Sequence, residues 1–138
     1  MKVDILHDGG RTPIKSHPTD AGWDLFVSRT VTIPPGMNVD VHTDIYVNIP
    51  RGLYGRITGR SSTLRKHHLL VNEGIIDCGY TGELYICVHN MGNEPFKVRA
   101  GMRLAQIIFG EVIPIEFKTV DCLPGTNRGT NGFGSTGV

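Results

Sequence analysis

Along most of the chain, apolar side chains recur at every second position. Val39, Val41, Ile45, Val47 and Ile49 mark one run, Leu84, Ile86 and Val88 a second, and Phe96 and Val98 a third. Successive side chains of a strand point to opposite faces, so this alternation predicts strands with one buried face. Leu104-Ala105-Gln106-Ile107-Ile108-Phe109 is more continuously apolar, as a strand covered on both faces would be. Turn chemistry separates the runs: Pro34-Pro35-Gly36, Pro50-Arg51-Gly52, Asn90-Met91-Gly92-Asn93 and Arg99-Ala100-Gly101. Short strands at such spacing predict an all-β sandwich or barrel. One short helix is expected within Ser61 to Leu70, capped by Ser61 or Ser62. After Phe117 the alternation stops. Residues 1–118 therefore read as the folded core, and residues 119–138 as an extended or mobile, glycine-rich arm.

Composition narrows the function. A chain of 138 residues with 39% hydrophobic and 20% charged residues is a globular domain. A net charge of +1 without a basic or acidic run offers little to nucleic acid or to a membrane surface. No apolar run approaches the roughly 18 residues of a membrane span. The start, MKVDILHDGG, carries a charge inside its apolar part and does not read as a signal peptide. Three cysteines, Cys78, Cys87 and Cys122, form no CxxC, so a disulfide framework or zinc site is not expected. A reducing, cytoplasmic compartment follows, with each cysteine as a small buried apolar residue.

The segment RGTNGFGSTG (128–137) contains GxGxxG at 132–137. It lacks the strand and helix that a dinucleotide fingerprint needs. Ordering ten such residues costs roughly 10–20 kcal/mol of backbone entropy, and little apolar surface is present to offset it. Charge-assisted hydrogen bonds at about 1.5–3 kcal/mol each, plus one aromatic stack, come close. An arm that orders only over a polyanion is one reading, with Arg128 as a planar fork, Ser135 and Thr136 as donors and Phe133 as a stacking face. An unstructured Gly/Ser tail is the other.

GIIDCGYTG (74–82) sets Asp77 before a glycine-rich turn. Asp77 suits either a simple turn or a carboxylate that polarises a water. Tyr80 suits either a core aromatic or a pocket wall. GRSS (59–62) puts Arg60 beside two hydroxyls, an arrangement for phosphate or an exposed helix cap. In AGWDL (21–25), Asp24 is either a solvated acid or an oxygen donor linked to a hard cation such as Mg²⁺. His67 and His68 have no third ligand at zinc spacing.

These segments, with RLAQIIF (103–109), stand in one order along nearly the whole chain. The set resembles the five motifs of the trimeric dUTP pyrophosphatases, and the likeness extends to IPPG (33–36), TDI (43–45) and YGR (54–56). The resemblance implies a jelly-roll-like β-barrel assembled as a homotrimer, each arm closing over a site built by its neighbours. It implies Mg²⁺-assisted hydrolysis of dUTP to dUMP and pyrophosphate by attack of water on the α-phosphorus. Asp77 is then the carboxylate that activates the water, and Tyr80 the ring that excludes a ribose 2′-hydroxyl. The hairpin backbone from Gly74 to Ile86, including Ile76 and Leu84, becomes the uracil reader, with Asn72 adding a side-chain contact. Arg60, Ser61, Ser62 and Gln106 become phosphate contacts, and Asp24 a ligand of a metal-bound water. Arg128 would meet the γ-phosphate, Phe133 the base, and Gly134, Ser135 and Thr136 the phosphates.

Two positions depart from the motif pattern: Ser62 stands where glycine is common, and Thr81 where arginine is common. GRSS also resembles the dCTP deaminases, which share this fold. That family's catalytic Glu would fall at Cys87, three residues before Asn90, and a thiol cannot replace that carboxylate in proton transfer. A further alternative is a nucleotide-gated role toward a regulatory protein partner on the same scaffold.

Overall fold

The computed structural model describes residues 1–137, which form eleven strands and one helix. Strands β2 (Trp23–Phe26), β11 (Arg103–Glu111), β6 (Leu53–Gly59) and β8 (Gly74–Ile76) make a four-stranded sheet in that order. β4 (Asn38–Val41), β9 (Ile86–Asn90) and β7 (Leu69–Val71) make a three-stranded sheet. Two pairs complete the jelly-roll-like barrel: β1 (Asp4–His7) with β5 (Ile45–Asn48), and β3 (Val31–Ile33) with β10 (Phe96–Val98). Every pairing is antiparallel.

The alternating positions form the core. Val41, Ile45, Val47, Ile49, Leu84, Ile86, Val88 and Val98 are buried, packed with Leu25, Ile33, Ile57, Leu69, Leu104 and Ile107. Each such Leu or Ile contributes about 1.5–3 kcal/mol relative to exposure, so the alternation is what specifies the barrel. Helix α1 (Ser61–His67) ends at His68, whose left-handed backbone (φ 55°) donates its N–H to Leu64.

Several expectations need correction. The run from Val39 to Ile49 is two strands, broken where Asp44 takes a left-handed φ of 51°. Neither Ser61 nor Ser62 caps α1: the N-cap is Arg60, in extended conformation, with no side-chain capping bond. Ser62 lies inside the helix and is absent from the residues with positive φ, so its Cβ introduces no strain there. Cys78 and Cys122 are exposed and Cys87 is half-buried, so none is a core residue. The segment from Gly74 to Ile86 is not a two-stranded hairpin, because β8 pairs with β6 while β9 pairs with β4 and β7.

The last strand ends at Glu111, and residues 112–137 carry no regular element. The apolar alternation nevertheless continues there, with Ile113, Ile115 and Phe117 fully or largely exposed.

Candidate active site

One group of expected site residues is assembled by the four-stranded sheet. Gln106 of β11 lies directly opposite Asp24 of β2 and Thr58 of β6. Its amide Nε2 donates to the Gly59 carbonyl at 3.3 Å. Gly22 is small for a local reason, since a Cβ there would run into the Gln106 amide. Asp24 is buried. Its Oδ1 meets Arg60 Nε at 2.8 Å, and its Oδ2 meets Arg103 Nη1 at 3.1 Å and the Ser16 hydroxyl at 3.4 Å. Arg60 also donates to the Arg103 carbonyl at 3.2 Å, and the Thr63 hydroxyl to the Leu104 carbonyl at 2.7 Å. Two cations on one carboxylate leave the cluster with surplus positive charge, which suits a polyphosphate.

A bulge is what brings Arg103 here. Between Phe26 and Leu25 β2 advances one residue, while β11 advances from Arg103 to Ala105. An extra residue of this kind re-aims its neighbours. In unbroken register Arg103 would face Val27 and point away from Asp24. With Leu104 inserted it faces Phe26, on the same side of β2 as Asp24.

A second group lies in the loop after β8. Asp77 is exposed, and its side chain has no hydrogen-bond partner among the described residues. Its carbonyl accepts the Tyr80 N–H at 3.2 Å. The Tyr80 hydroxyl donates to the Glu83 carbonyl at 2.9 Å, and the ring covers Gly82, where a Cβ would strike it. Gly74 and Ile76 pair with Ile57 and Gly55 of β6. Leu84 and Ile86 are wholly buried, and the Leu84 N–H and carbonyl are engaged by Ile45 and by the Thr43 hydroxyl. The Asn72 amide donates to Cys87 Sγ at 3.3 Å.

Glu83 ties this loop to the turn between β4 and β5. Its carboxylate accepts the N–H groups of Thr43 at 3.1 Å and Asp44 at 2.9 Å, with His42 Nδ1 at 3.0 Å. Arg29 grips the Asp44 carboxylate from the other side at 2.9 and 2.6 Å. The Arg29 hydrogen bond holds the Asp44 carboxyl below its usual value. Burial pushes Glu83 up, but the hydrogen bond from the Asp44 N–H, the nearby Tyr85 and His42 outweigh it and bring the carboxyl below its usual value. His42, Asp44 and Glu83 lie close enough to share a metal ion, within 4.8 Å of one another. Their oxygens are already committed to Arg29 and to backbone N–H groups, so the cluster is a satisfied charge network.

The arm stands apart from both groups. Arg128 Nε donates to the Asn131 carbonyl at 2.8 Å, and the backbone bonds of Gly129, Asn131, Ser135 and Gly137 all close within the arm. Phe133 is fully exposed at a φ of 49°. Thus Arg128, Phe133, Gly134, Ser135 and Thr136 are not brought to Asp24, Arg60, Asp77 or Gln106 within one chain.

The dUTPase family model matches residues 9–137, the whole span from the Gly9-Gly10 turn through the arm. The chain belongs to the dUTPase family. A deoxyuridine 5′-triphosphate nucleotidohydrolase of Clostridium novyi (strain NT) is 40% identical over 140 residues, covering 100% of this chain and 99% of that protein. The human mitochondrial deoxyuridine 5′-triphosphate nucleotidohydrolase is 39% identical over 132 residues, 96% of this chain and 52% of its own length, so the chain spans about half of that relative. Among solved structures, the Staphylococcus bacteriophage 80alpha dUTPase with dUPNHPP superposes with a TM-score of 0.92 at 29% identity, covering 99% of both chains. That phage dUTPase is one of those that control transfer of virulence genes by a proto-oncogenic G protein-like mechanism.

Within this dUTPase fold, reading the sequence alone passed over Arg103 and Glu83. Arg103 sits in the RLAQIIF segment, but only the bulge turns it toward Asp24. Glu83 follows Gly82 as an acid near a turn, which is indistinguishable in sequence from a solvated side chain. Only the fold shows the need: beside Asp44, which takes a left-handed backbone, the N–H groups of Thr43 and Asp44 require an acceptor, and Glu83 supplies it.

Proposed function

We infer that the chain hydrolyses dUTP to dUMP and pyrophosphate, with Asp77 activating the attacking water. One observation carries the assignment of Asp77. Asp24 is committed to Arg60 and Arg103, whereas Asp77 stands exposed beside Tyr80 with its carboxylate free of partners among the described residues. In the reaction a water oxygen bonds to the α-phosphorus as the bond from that phosphorus to the α–β bridging oxygen breaks. Pyrophosphate leaves with the bond electrons, and the water's proton passes to Asp77. This chemistry demands positioning, charge neutralisation and exclusion of bulk water more than a strong nucleophile.

The other residues divide those tasks. Arg60, Ser61, Ser62 and Gln106 bind the phosphates, with Ser62 contributing its amide. Tyr80 closes the sugar edge against a 2′-hydroxyl. The backbone at Gly74, Ile76, Leu84 and Ile86 reads uracil, with Asn72 beside it. The Leu84 peptide groups already serve Ile45 and Thr43, so readout falls mainly on the Gly74 side. From the arm, Arg128 takes the γ-phosphate, Phe133 the base, and Gly134, Ser135 and Thr136 the phosphate chain.

Mg²⁺ fits the donors present in one way. Both Asp24 oxygens already accept arginine N–H groups, so Asp24 would hold the ion through a bound water and leave direct ligation to phosphate oxygens. When bound, the ion neutralises charge on the triphosphate.

We further propose a homotrimer. Ile113, Ile115 and Phe117 present three exposed apolar side chains at alternate positions. An apolar groove of about 370 Å³, lined by Val3, Ile5, Trp23, Val47, Leu53 and Phe109 among others, lies open in the same chain. Covering three such side chains contributes about 1.5–3 kcal/mol each. With this segment docked on a neighbour, residues 119–138 become a lid for a shared site. No described helix is long and apolar enough to cross a membrane, and the three unpaired cysteines suit a reducing cytoplasm.

The deciding experiment is direct. Purified protein with dUTP and Mg²⁺ releases pyrophosphate, and Asp77→Asn abolishes release. Equal cleavage of dTTP would refute the assignment of the uracil reader. A nucleotide-gated partner role is favoured by the G protein-like mechanism of the phage relative. It predicts that Asp77→Asn loses turnover but keeps dUTP-dependent partner binding.

A further inference from the structure

Between the end of β8 and residue 83, the loop that carries Asp77 and Tyr80 makes no hydrogen bond to another element among the described residues. Along its front half the bonds are internal: Tyr80 N–H to the Asp77 carbonyl at 3.2 Å, and the Tyr80 hydroxyl to the Glu83 carbonyl at 2.9 Å. At residue 83 the ties to other elements begin. The Glu83 carboxylate accepts Thr43 N–H, Asp44 N–H and His42, and a β-bridge joins Glu83 to Tyr46. Beyond it, the Leu84 N–H goes to Ile45 and the Thr43 hydroxyl to the Leu84 carbonyl. Asp44, whose N–H meets Glu83, is itself fixed by Arg29 through two bonds. The hydroxyl of Tyr80 is therefore anchored on a carbonyl whose place is set by the same residue's buried side chain. Thr81, one position after Tyr80, offers no charge with which to hold the loop otherwise.

We propose that Glu83 is a positioning residue for Tyr80, and through it sets discrimination between deoxyribose and ribose nucleotides. The proposal rests on the reading of Tyr80 as the ring that closes the sugar edge. A ring that excludes one oxygen atom must hold its place to a fraction of an ångström, because a modest drift opens room for a hydroxyl. Glu83 supplies that constraint without touching the substrate. Arg29 and His42 act one step further out, by fixing the two sides of the turn that Glu83 grips.

The test compares kcat/KM for dUTP and UTP in the unaltered protein, Glu83→Gln, Glu83→Asp and Tyr80→Ala, with hydrogen exchange of residues 77–82. Glu83→Gln is expected to lower the dUTP:UTP ratio about tenfold, mainly by admitting UTP, and to speed exchange at 77–82 while β6 and β11 stay protected. Glu83→Asp, which keeps the charge, restores part of the ratio. An unchanged ratio in Glu83→Gln, with Thr43 and Asp44 exchanging faster, overturns the proposal, since the grip is then broken without effect. Equal losses for both substrates also overturn it, as a general loss of fold would give them. Tyr80→Ala separates the underlying reading. If it leaves the ratio unchanged, the role of Tyr80 fails, and exchange at 77–82 in Glu83→Gln alone decides whether Glu83 anchors the loop. Should Glu83→Gln not fold, Arg29→Gln carries the same comparison, with a drop of about threefold expected and no drop overturning the proposal.

Discussion

Asp24 and Arg103 are 79 positions apart in the chain and 3.1 Å apart in the fold. The pair exists because β11 inserts one residue, Leu104, between Arg103 and the ladder with β2. Arg60 completes the grip on the same carboxylate at 2.8 Å. Arg103→Met leaves a buried acid with one cation fewer. Losing a partner from a buried pair costs several kcal/mol, but Arg103 is more than a third exposed, so about 1–2 kcal/mol is expected. Urea unfolding at neutral pH checks this, with Arg103→Lys recovering part of the loss.

Gly22→Ala tests the packing between Asp24 and Gln106. The new methyl meets the Gln106 amide, which must turn away from the Gly59 carbonyl. Overpacking of this kind costs about 1–3 kcal/mol. If Gln106 contacts phosphate, KM for dUTP rises as well, and initial-rate kinetics will show it.

Acid stability follows from Asp44 and Glu83. Both folded carboxyls sit below their ordinary values of 3.8 and 4.5. The unfolded chain therefore binds more protons than the folded one in the acid range, and stability rises with pH there. The contribution is fully present above about pH 5 and is lost as pH falls through the lowered folded values. Arg29→Gln removes the main cause of the Asp44 shift, so its unfolding free energy falls less steeply on acidification. Urea titrations from pH 7 to 3 compare the two slopes.

Removing residues 126–138 tests the proposed lid. The hydrogen bonds of this segment close on themselves, so the melting temperature is expected to stay within about 2 °C. Turnover is expected to fall by at least a hundredfold, through loss of water exclusion and phosphate neutralisation. Calorimetry and pyrophosphate release measure the two effects.

Ile115→Asp and Phe117→Asp probe assembly. Both residues are exposed in the single chain, so neither change should unfold the barrel. Each is expected to convert a trimer to monomer in light scattering and to lower activity in parallel. A trimer that persists would place the interface elsewhere.

Much of this fold could be read from the order of apolar residues. Val47, Ile86, Val88 and Val98 alternate because they line one core, and the strands follow. What escaped reading depends on single backbone events. Asp44 and His68 adopt left-handed conformations that no alternation marks, and these end a strand and a helix. The bulge at Leu104 reverses the facing of Arg103, so a cation to which the sequence attached no role becomes a partner of Asp24. Cys78 and Cys122 were placed inside by residue type alone, yet both lie on loops that face water. The position of Asp77 after β8 was legible because a glycine turn follows it. The grip of Glu83 was not, because its partners Thr43 and Asp44 lie forty and thirty-nine residues earlier.

The last strand closes at Glu111, the Val112 N–H still meets the Gly52 carbonyl, and residues 113–137 add no further strand. Synthesis proceeds from the N-terminus at about 5–20 residues per second, so every strand of the barrel is made before the segment proposed as its lid. On the proposed assembly, a subunit at that stage has made its acceptor site and not yet its donor arm. Chains emerging side by side on one messenger would meet at their most sticky moment, with Ile113, Ile115 and Phe117 just exposed. The rate at which active enzyme appears should therefore depend on how many ribosomes share a transcript.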